Sequence, residues 1–152
     1  MKDCVFCKIV KGELPCHKVW EDKNHLAFLS IFPNTDGVTV VIPKKHYSSY
    51  AFEVPDKVLA DLIKATKKVG GILDKAFDDV GRTGLVLEGF GVNHLHAKLY
   101  PLHGTKTDKW REWRSNSIKF FEKYDGYISS NDGPRVDDKK LEKLAKKIRG
   151  EK

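Results

Sequence analysis

The chain has 152 residues, 40% hydrophobic and 32% charged, which suits one domain with a genuine core. No apolar run is long enough to span a bilayer, and three cysteines are an odd count for a disulfide framework. The net charge of +7 comes from 28 Lys and Arg against 21 Asp and Glu, and it favours polyanions only weakly. Met1-Lys2-Asp3-Cys4 has no apolar signal segment behind it, so a cytoplasmic location is expected.

Cys4 and Cys7 form a C-x-x-C pair with no strand before it, which reads as half a zinc site rather than a redox motif. Cys16 stands alone and reads as a packing or surface residue. Residues 17–21 and 25–31 are expected to be two short strands joined around Asp22-Lys23-Asn24. After the turn cluster 33–37, Val38-Thr39-Val40-Val41-Ile42 is β-branched throughout and predicts a strand that Pro43 ends. Residues 55–78 carry an apolar stripe at three- to four-residue spacing (Val58, Leu62, Val69, Leu73 among others), which predicts a long helix. Gly70-Gly71 weaken its middle, so close packing against a neighbour is expected there.

Gly84-Leu85-Val86-Leu87 predicts a further strand, and Glu88-Gly89-Phe90-Gly91 a turn into His94-Leu95-His96-Ala97-Lys98. If the last segment is a strand, His94, His96 and Lys98 share one face, and Leu95, Ala97 and Leu99 pack behind it. Five strands in sequence with one long helix indicate an α+β fold with an antiparallel sheet. Beyond His103-Gly104 the character changes. Residues 104–116 are polar with Trp110 and Trp113, residues 118–127 are rich in aromatics, and 131–134 form a break. Residues 137–149 predict a basic amphipathic helix with Leu141, Leu144, Ala145 and Ile148 on one side. Asp137 and Asp138 suit its first turn. That helix is expected to dock on the core or on a second subunit.

Zinc requires four ligands. Spacing alone does not choose His46 and His94 over His17, His25 or His103 to complete a set with Cys4 and Cys7. His96, at mid-segment, is the better nucleophile candidate, because a neutral imidazole attacks phosphorus and splits one hard displacement into two. Lys98 can offset charge on the phosphoryl oxygens.

Four segments together resemble the histidine triad (HIT) family of nucleotide hydrolases and transferases. They are residues 3–15 (DCVFCKIVKGELP), 26–33 (LAFLSIFP), 41–47 (VIPKKHY) and 94–101 (HLHAKLYP). The resemblance covers residues 1–103 as one HIT-like domain, with 104–152 a C-terminal extension. It implies a five-stranded antiparallel sheet with a long helix, in a homodimer. It implies a structural Zn2+ held by Cys4, Cys7, His46 and His94, with His96 as nucleophile and Lys98 beside it. It implies a nucleotide pocket at Val5, Phe6, Ile9, Phe28, Ser30, Ile31 and Leu87. The implied activity is nucleotide hydrolysis or nucleotidyl transfer at the α-phosphate of a purine nucleotide, through a nucleotidyl-histidine intermediate. The alternative is a zinc-stabilised module that binds nucleotide without cleaving it. A role in binding nucleic acid through the basic tail and its aromatics is a third, less favoured expectation, and no membrane partner is expected.

Three departures from the family pattern stand out. Lys98 holds the third motif position, where histidine is usual. Ser30 stands where an acidic residue usually holds the ribose hydroxyls. The loop before the motif lacks the Asn and Gly-Gln-Ser donors near Leu87 and Phe90-Gly91. Each lost polar contact of this kind is worth about 1–3 kcal/mol of binding. The proton for the leaving group is then expected from His103 or from the substrate.

Overall fold

The computed structural model describes residues 4–113, 120–124 and 133–151. Parts of the segments read as 104–116, 118–127 and 131–134 therefore lie outside the described residues. In chain order the elements are helix α1 (Val5–Val10), strands β1 (Lys18–Glu21), β2 (His25–Leu29) and β3 (Thr39–Pro43), helix α2 (Asp56–Ala76), strands β4 (Thr83–Val86) and β5 (Ala97–Pro101), and helix α3 (Asp138–Arg149). A single turn of 3-10 helix at Ala51–Glu53 precedes α2. The sheet runs β1-β2-β3-β5-β4 with every neighbouring pair antiparallel. This is the expected α+β architecture, with β4 and β5 paired as a hairpin.

Every residue of β2 and β3 is buried, because both faces of the sheet are covered. Alternation divides the side chains between the faces. Ala27, Leu29 and Val41 join Leu62, Val69 and Leu73 of α2 in the main core. Leu26, Phe28, Val40 and Ile42 point the other way and pack with Phe6 of α1. The cross-strand row Phe28–Val40–Lys98 therefore lies on the α1 face.

Helix α3 docks on the first face, where Leu141, Ala145 and Ile148 enter the main core. Its start is capped by the Asp137 carboxylate, which accepts from the Lys139 and Lys140 N–H groups. Its end closes on Gly150 in the left-handed conformation. The Gly150 and Glu151 N–H groups return to the Lys147 and Lys146 carbonyls.

Two expectations need correction. The motif strand begins at Ala97, not His94. The β3–β5 ladder runs Thr39 to Val41 against Leu99 to Ala97, and its extension would set Leu95 opposite Pro43. Proline has no N–H to donate, so the ladder stops. Leu95 instead donates its N–H to the Tyr47 carbonyl at 3.0 Å. The face assignment survives, since Leu95 lies in the main core while His94 and His96 both meet Phe6.

The second correction concerns Gly70 and Gly71. A Cβ at either would touch nothing, so no close packing within the chain requires them. Gly71→Ala is therefore expected to raise the unfolding free energy by up to about 1 kcal/mol in urea titrations. Gly37 is the contrast. It has φ +86°, and a Cβ there would lie 2.7 Å from the Phe77 ring, so Gly37→Ala is expected to destabilise in the same assay.

Candidate metal centre and active-site cleft

Cys4 caps α1, its Sγ accepting from the Cys7 N–H at 3.4 Å. One helical turn thus brings both sulfurs together. His46 follows the end of β3, and His94 lies at the end of the loop that returns toward β5. The Nδ1 of His94 sits 3.4 Å from Cys4 Sγ and 3.6 Å from Cys7 Sγ, and His46 Nδ1 sits 3.4 Å from Cys7 Sγ. All four ligand atoms lie within 4.8 Å of one another. Bonds of about 2.3 Å to sulfur and 2.0 Å to nitrogen in a tetrahedron put N and S about 3.5 Å apart. Cys4, Cys7, His46 and His94 can therefore hold a metal ion.

The outer shell agrees. His94 is fully buried, and its Nε2–H donates to the Pro43 carbonyl at 2.8 Å. That bond fixes the tautomer and leaves the Nδ1 lone pair facing the sulfurs. Burial pushes the His94 imidazole below its ordinary value, so it is held in the neutral, ligating form. Burial and the neighbouring Cys4 push the Cys7 thiol up. A divalent cation bound by these residues would reverse that cost by stabilising both thiolates.

Against this cluster lies a cleft of about 460 Å³ between α1 and the sheet. Its lining is largely apolar. Val5, Phe6, Ile9, Phe28 and Ile31 all reach it, as does Ser30, so most of the sequence-derived pocket is brought together. The Ser30 Oγ accepts from the Phe32 N–H at 3.2 Å. Leu87 is not in the lining, because it packs against the main core on the far face. His103 is also elsewhere. Its two ring nitrogens bond the Asp79 carboxylate and the Asp36 carbonyl, and its ring packs on Phe77. Sequence reasoning missed Leu14, Cys16, Phe32, Val40, Phe90 and Val92 as lining residues. Of these, Val40 carried a signal as the β3 residue two places from Ile42 on the shared face, and Phe90 as the loop position where the family pattern carries phosphate donors.

His96 and Lys98 stand together in the cleft wall. His96 is buried, and its Nδ1 lies 2.7 Å from the His94 carbonyl. A carbonyl only accepts, so Nδ1 carries the hydrogen and the neutral ring has its lone pair on Nε2. Burial pushes this imidazole below its ordinary value, and Lys98 adds to the lowering. The His94 carbonyl and Glu88 oppose it. The Phe6 ring meets the His96 ring edge-on at 5.5 Å between centroids. A neutral imidazole beside an ammonium, at the wall of an apolar cleft, suits a ligand with a flat apolar part and an anionic part.

The extension reaches this rim. Tyr124 stacks on Phe90 at 5.6 Å and donates its O–H to Glu88 at 2.7 Å. Trp110 and Trp113 are both exposed, with the Arg111 guanidinium 3.9 Å over the Trp113 ring.

His103 gives a test of the clasp between the turn after β5 and the loop after α2. Burial works against its charge, but the Asp36 carbonyl and Asp79 carboxylate outweigh that and hold it above its ordinary value of 6.5. Its stabilising contribution is therefore full below about pH 6.5 and is lost as pH rises through the higher folded value. The urea midpoint of the wild type is expected to exceed that of His103→Gln most at acidic pH. The gap should narrow on the alkaline side.

Four side chains able to hold a metal ion border an apolar cleft walled by His96 and Lys98, on a five-stranded antiparallel sheet. The HIT domain matches residues 11–104. An uncharacterized HIT-like protein of Methanocaldococcus jannaschii is 43% identical, covering 64% of this chain and 78% of its own. An adenosine 5′-monophosphoramidase of Schizosaccharomyces pombe is 38% identical over 64% of this chain and 73% of its own. The crystal structure of a hypothetical histidine triad nucleotide-binding protein from Sulfolobus tokodaii superposes with TM-score 0.70 at 28% identity. It covers 97% of this chain and 90% of that one. The chain belongs to the HIT family. No helix among the described residues is long and apolar enough to cross a membrane.

Proposed function

We propose that this protein is a nucleotide phosphohydrolase or nucleotidyl transferase that works at the α-phosphate of a purine nucleotide through His96. The observation that carries the reading is the 2.7 Å bond from His96 Nδ1–H to the His94 carbonyl. It orients a neutral ring whose Nε2 is the attacking atom. The base lies between Phe6, Ile9, Phe28 and Ile31, with the ribose near Ser30. Lys98 offsets charge on the phosphoryl oxygens. Nε2 attacks phosphorus, the leaving group departs, and water then frees the nucleoside monophosphate and restores the imidazole. The similarity to the Schizosaccharomyces pombe adenosine 5′-monophosphoramidase supports this general chemistry.

Cys4, Cys7, His46 and His94 would hold Zn2+, since two thiolates and two imidazoles are its preferred tetrahedral set. The ion would supply structure, tying α1 to the β3 end and to the motif, with no open position for chemistry. Residues 1–103 form the catalytic domain in this reading. The 104–152 extension supports it, through α3 at the core and Tyr124 at the rim. The working form is a homodimer. Unpaired, metal-binding cysteines suit a reducing compartment, which for this reading is the cytoplasm. The test is product analysis by chromatography after incubation with purine nucleotides and their conjugates. Release of nucleoside monophosphate is expected. Tight calorimetric binding with no product would instead establish a non-catalytic module.

A further inference from the structure

Two lips of the cleft are loops. Ile31 and Phe32 follow the end of β2, and Phe90 lies in the loop after β4. All three side chains are exposed, and none belongs to a helix or strand. A loop with few buried contacts of its own takes its place from what packs behind it. Residues beyond 104 do this at both lips. At the β2 lip the Val136 N–H donates to the Ile31 carbonyl at 3.0 Å. Gly133 lies so close to Pro33 that a Cβ there would run into the Pro33 carbonyl. The Lys140 ammonium meets the Asp36 carboxylate at 3.2 Å. Val136, Leu141 and Leu144 close on Leu29, Pro33 and Val38, leaving a gap of about 10 Å³, room for one water at most. This support is itself fixed, since Leu141, Ala145 and Ile148 of α3 are buried in the main core. At the other lip Tyr124 stacks on Phe90, and its O–H holds Glu88 two residues before. No described residue beyond Lys98 lines the cleft itself, so the extension acts on it through the lips.

Resting on the function proposed above, we infer that the C-terminal extension is a working part of the nucleotide site, in which Tyr124, Gly133 and Val136 are positioning residues that hold the two lips at the separation a bound nucleotide needs. The effect falls on binding. His96 is anchored to the His94 carbonyl, and Lys98 is fixed in β5 between β3 and β4, so neither depends on the lips for its place. Loosening a lip removes contacts to the nucleotide and leaves the reacting groups where they are. A support of the fold alone behaves differently. Its loss lowers the fraction of folded chains, and each chain that does fold binds as before.

The test is titration calorimetry of the full chain with adenosine and guanosine 5′-monophosphate, which reads affinity and stoichiometry together. Gly133→Ala forces the Ile31–Pro33 lip outward, and Tyr124→Ala removes both the stack on Phe90 and the bond to Glu88. Each is expected to raise Kd by roughly 3- to 10-fold, the scale of one lost contact of this kind, with unchanged stoichiometry. Tyr124→Phe keeps the stack and should recover most of the affinity. Tyr124 is exposed, so its two variants carry the test by themselves should Gly133→Ala not fold. Circular dichroism and metal content of each variant establish which are folded. An unchanged Kd in either folded variant, or a fall in stoichiometry at constant Kd, overturns this inference and leaves the nucleotide site in place. A wild type that binds neither monophosphate overturns the proposed function, and this inference with it.

Discussion

His96→Ala is expected to lower turnover by roughly 10⁴-fold or more, the scale of loss when a covalent nucleophile is removed. The reason is specific to this position. His96 Nδ1–H is anchored to the His94 carbonyl, and no other imidazole lines the cleft among the described residues. His94 is directed at Cys4 and Cys7, and His103 at Asp79. The variant should retain its metal at near one ion per chain and should still bind nucleotide, since Phe6, Ile9 and Phe28 are untouched. His96→Gln makes a useful companion. It keeps a polar side chain at a buried position, so loss of activity with an unchanged thermal midpoint separates chemistry from packing. Steady-state kinetics and metal analysis on the same preparations check the expectation.

Removing the metal is expected to have the largest effect on stability. An ion bound only by the folded state, present at about 1,000 times its dissociation constant, contributes about 4 kcal/mol. For a chain of this size that corresponds to roughly 8–16 °C in thermal midpoint. Cys4→Ser should show this loss and be insensitive to chelator, whereas the wild type should fall to the same midpoint when chelated. The damage should extend to the cleft. Cys4 caps α1 and its Sγ meets His94, so freeing α1 removes the wall made by Val5, Phe6 and Ile9. Nucleotide affinity is therefore expected to fall together with metal content. A chelated protein with unchanged midpoint and affinity would show that the four side chains hold themselves together without an ion.

The elements that carry a long or unbroken pattern were legible in the sequence. The β-branched run at 38–42 became β3, and the stripe from Val58 to Leu73 became α2. The 137–149 helix appeared with Asp137 as its cap and Leu141, Ala145 and Ile148 buried. Helix α1 was not legible. At six residues it is too short to show a period, and the C-x-x-C pair masks its apolar face. His94 and His96 alternate with Leu95 as a strand would, yet Pro43 denies them a ladder, which no property of residues 94–96 reveals. His46 and His94 could not be chosen as ligands from spacing, because they lie 39 and 87 residues from Cys7 and only the sheet brings them near. Leu87 sits beside the motif in sequence but on the opposite face in space.

The central claim is that His96 carries the nucleotidyl group. It is tested most directly by mixing the protein with an α-³²P-labelled purine nucleotide substrate, quenching in base on the millisecond-to-second scale, and mapping the label by peptide mass spectrometry. A phosphoramidate on His96, formed and consumed at rates that account for turnover and absent in His96→Ala, is the expected result. Monophosphate release with no label on His96 at any time, or label on another residue, would contradict it.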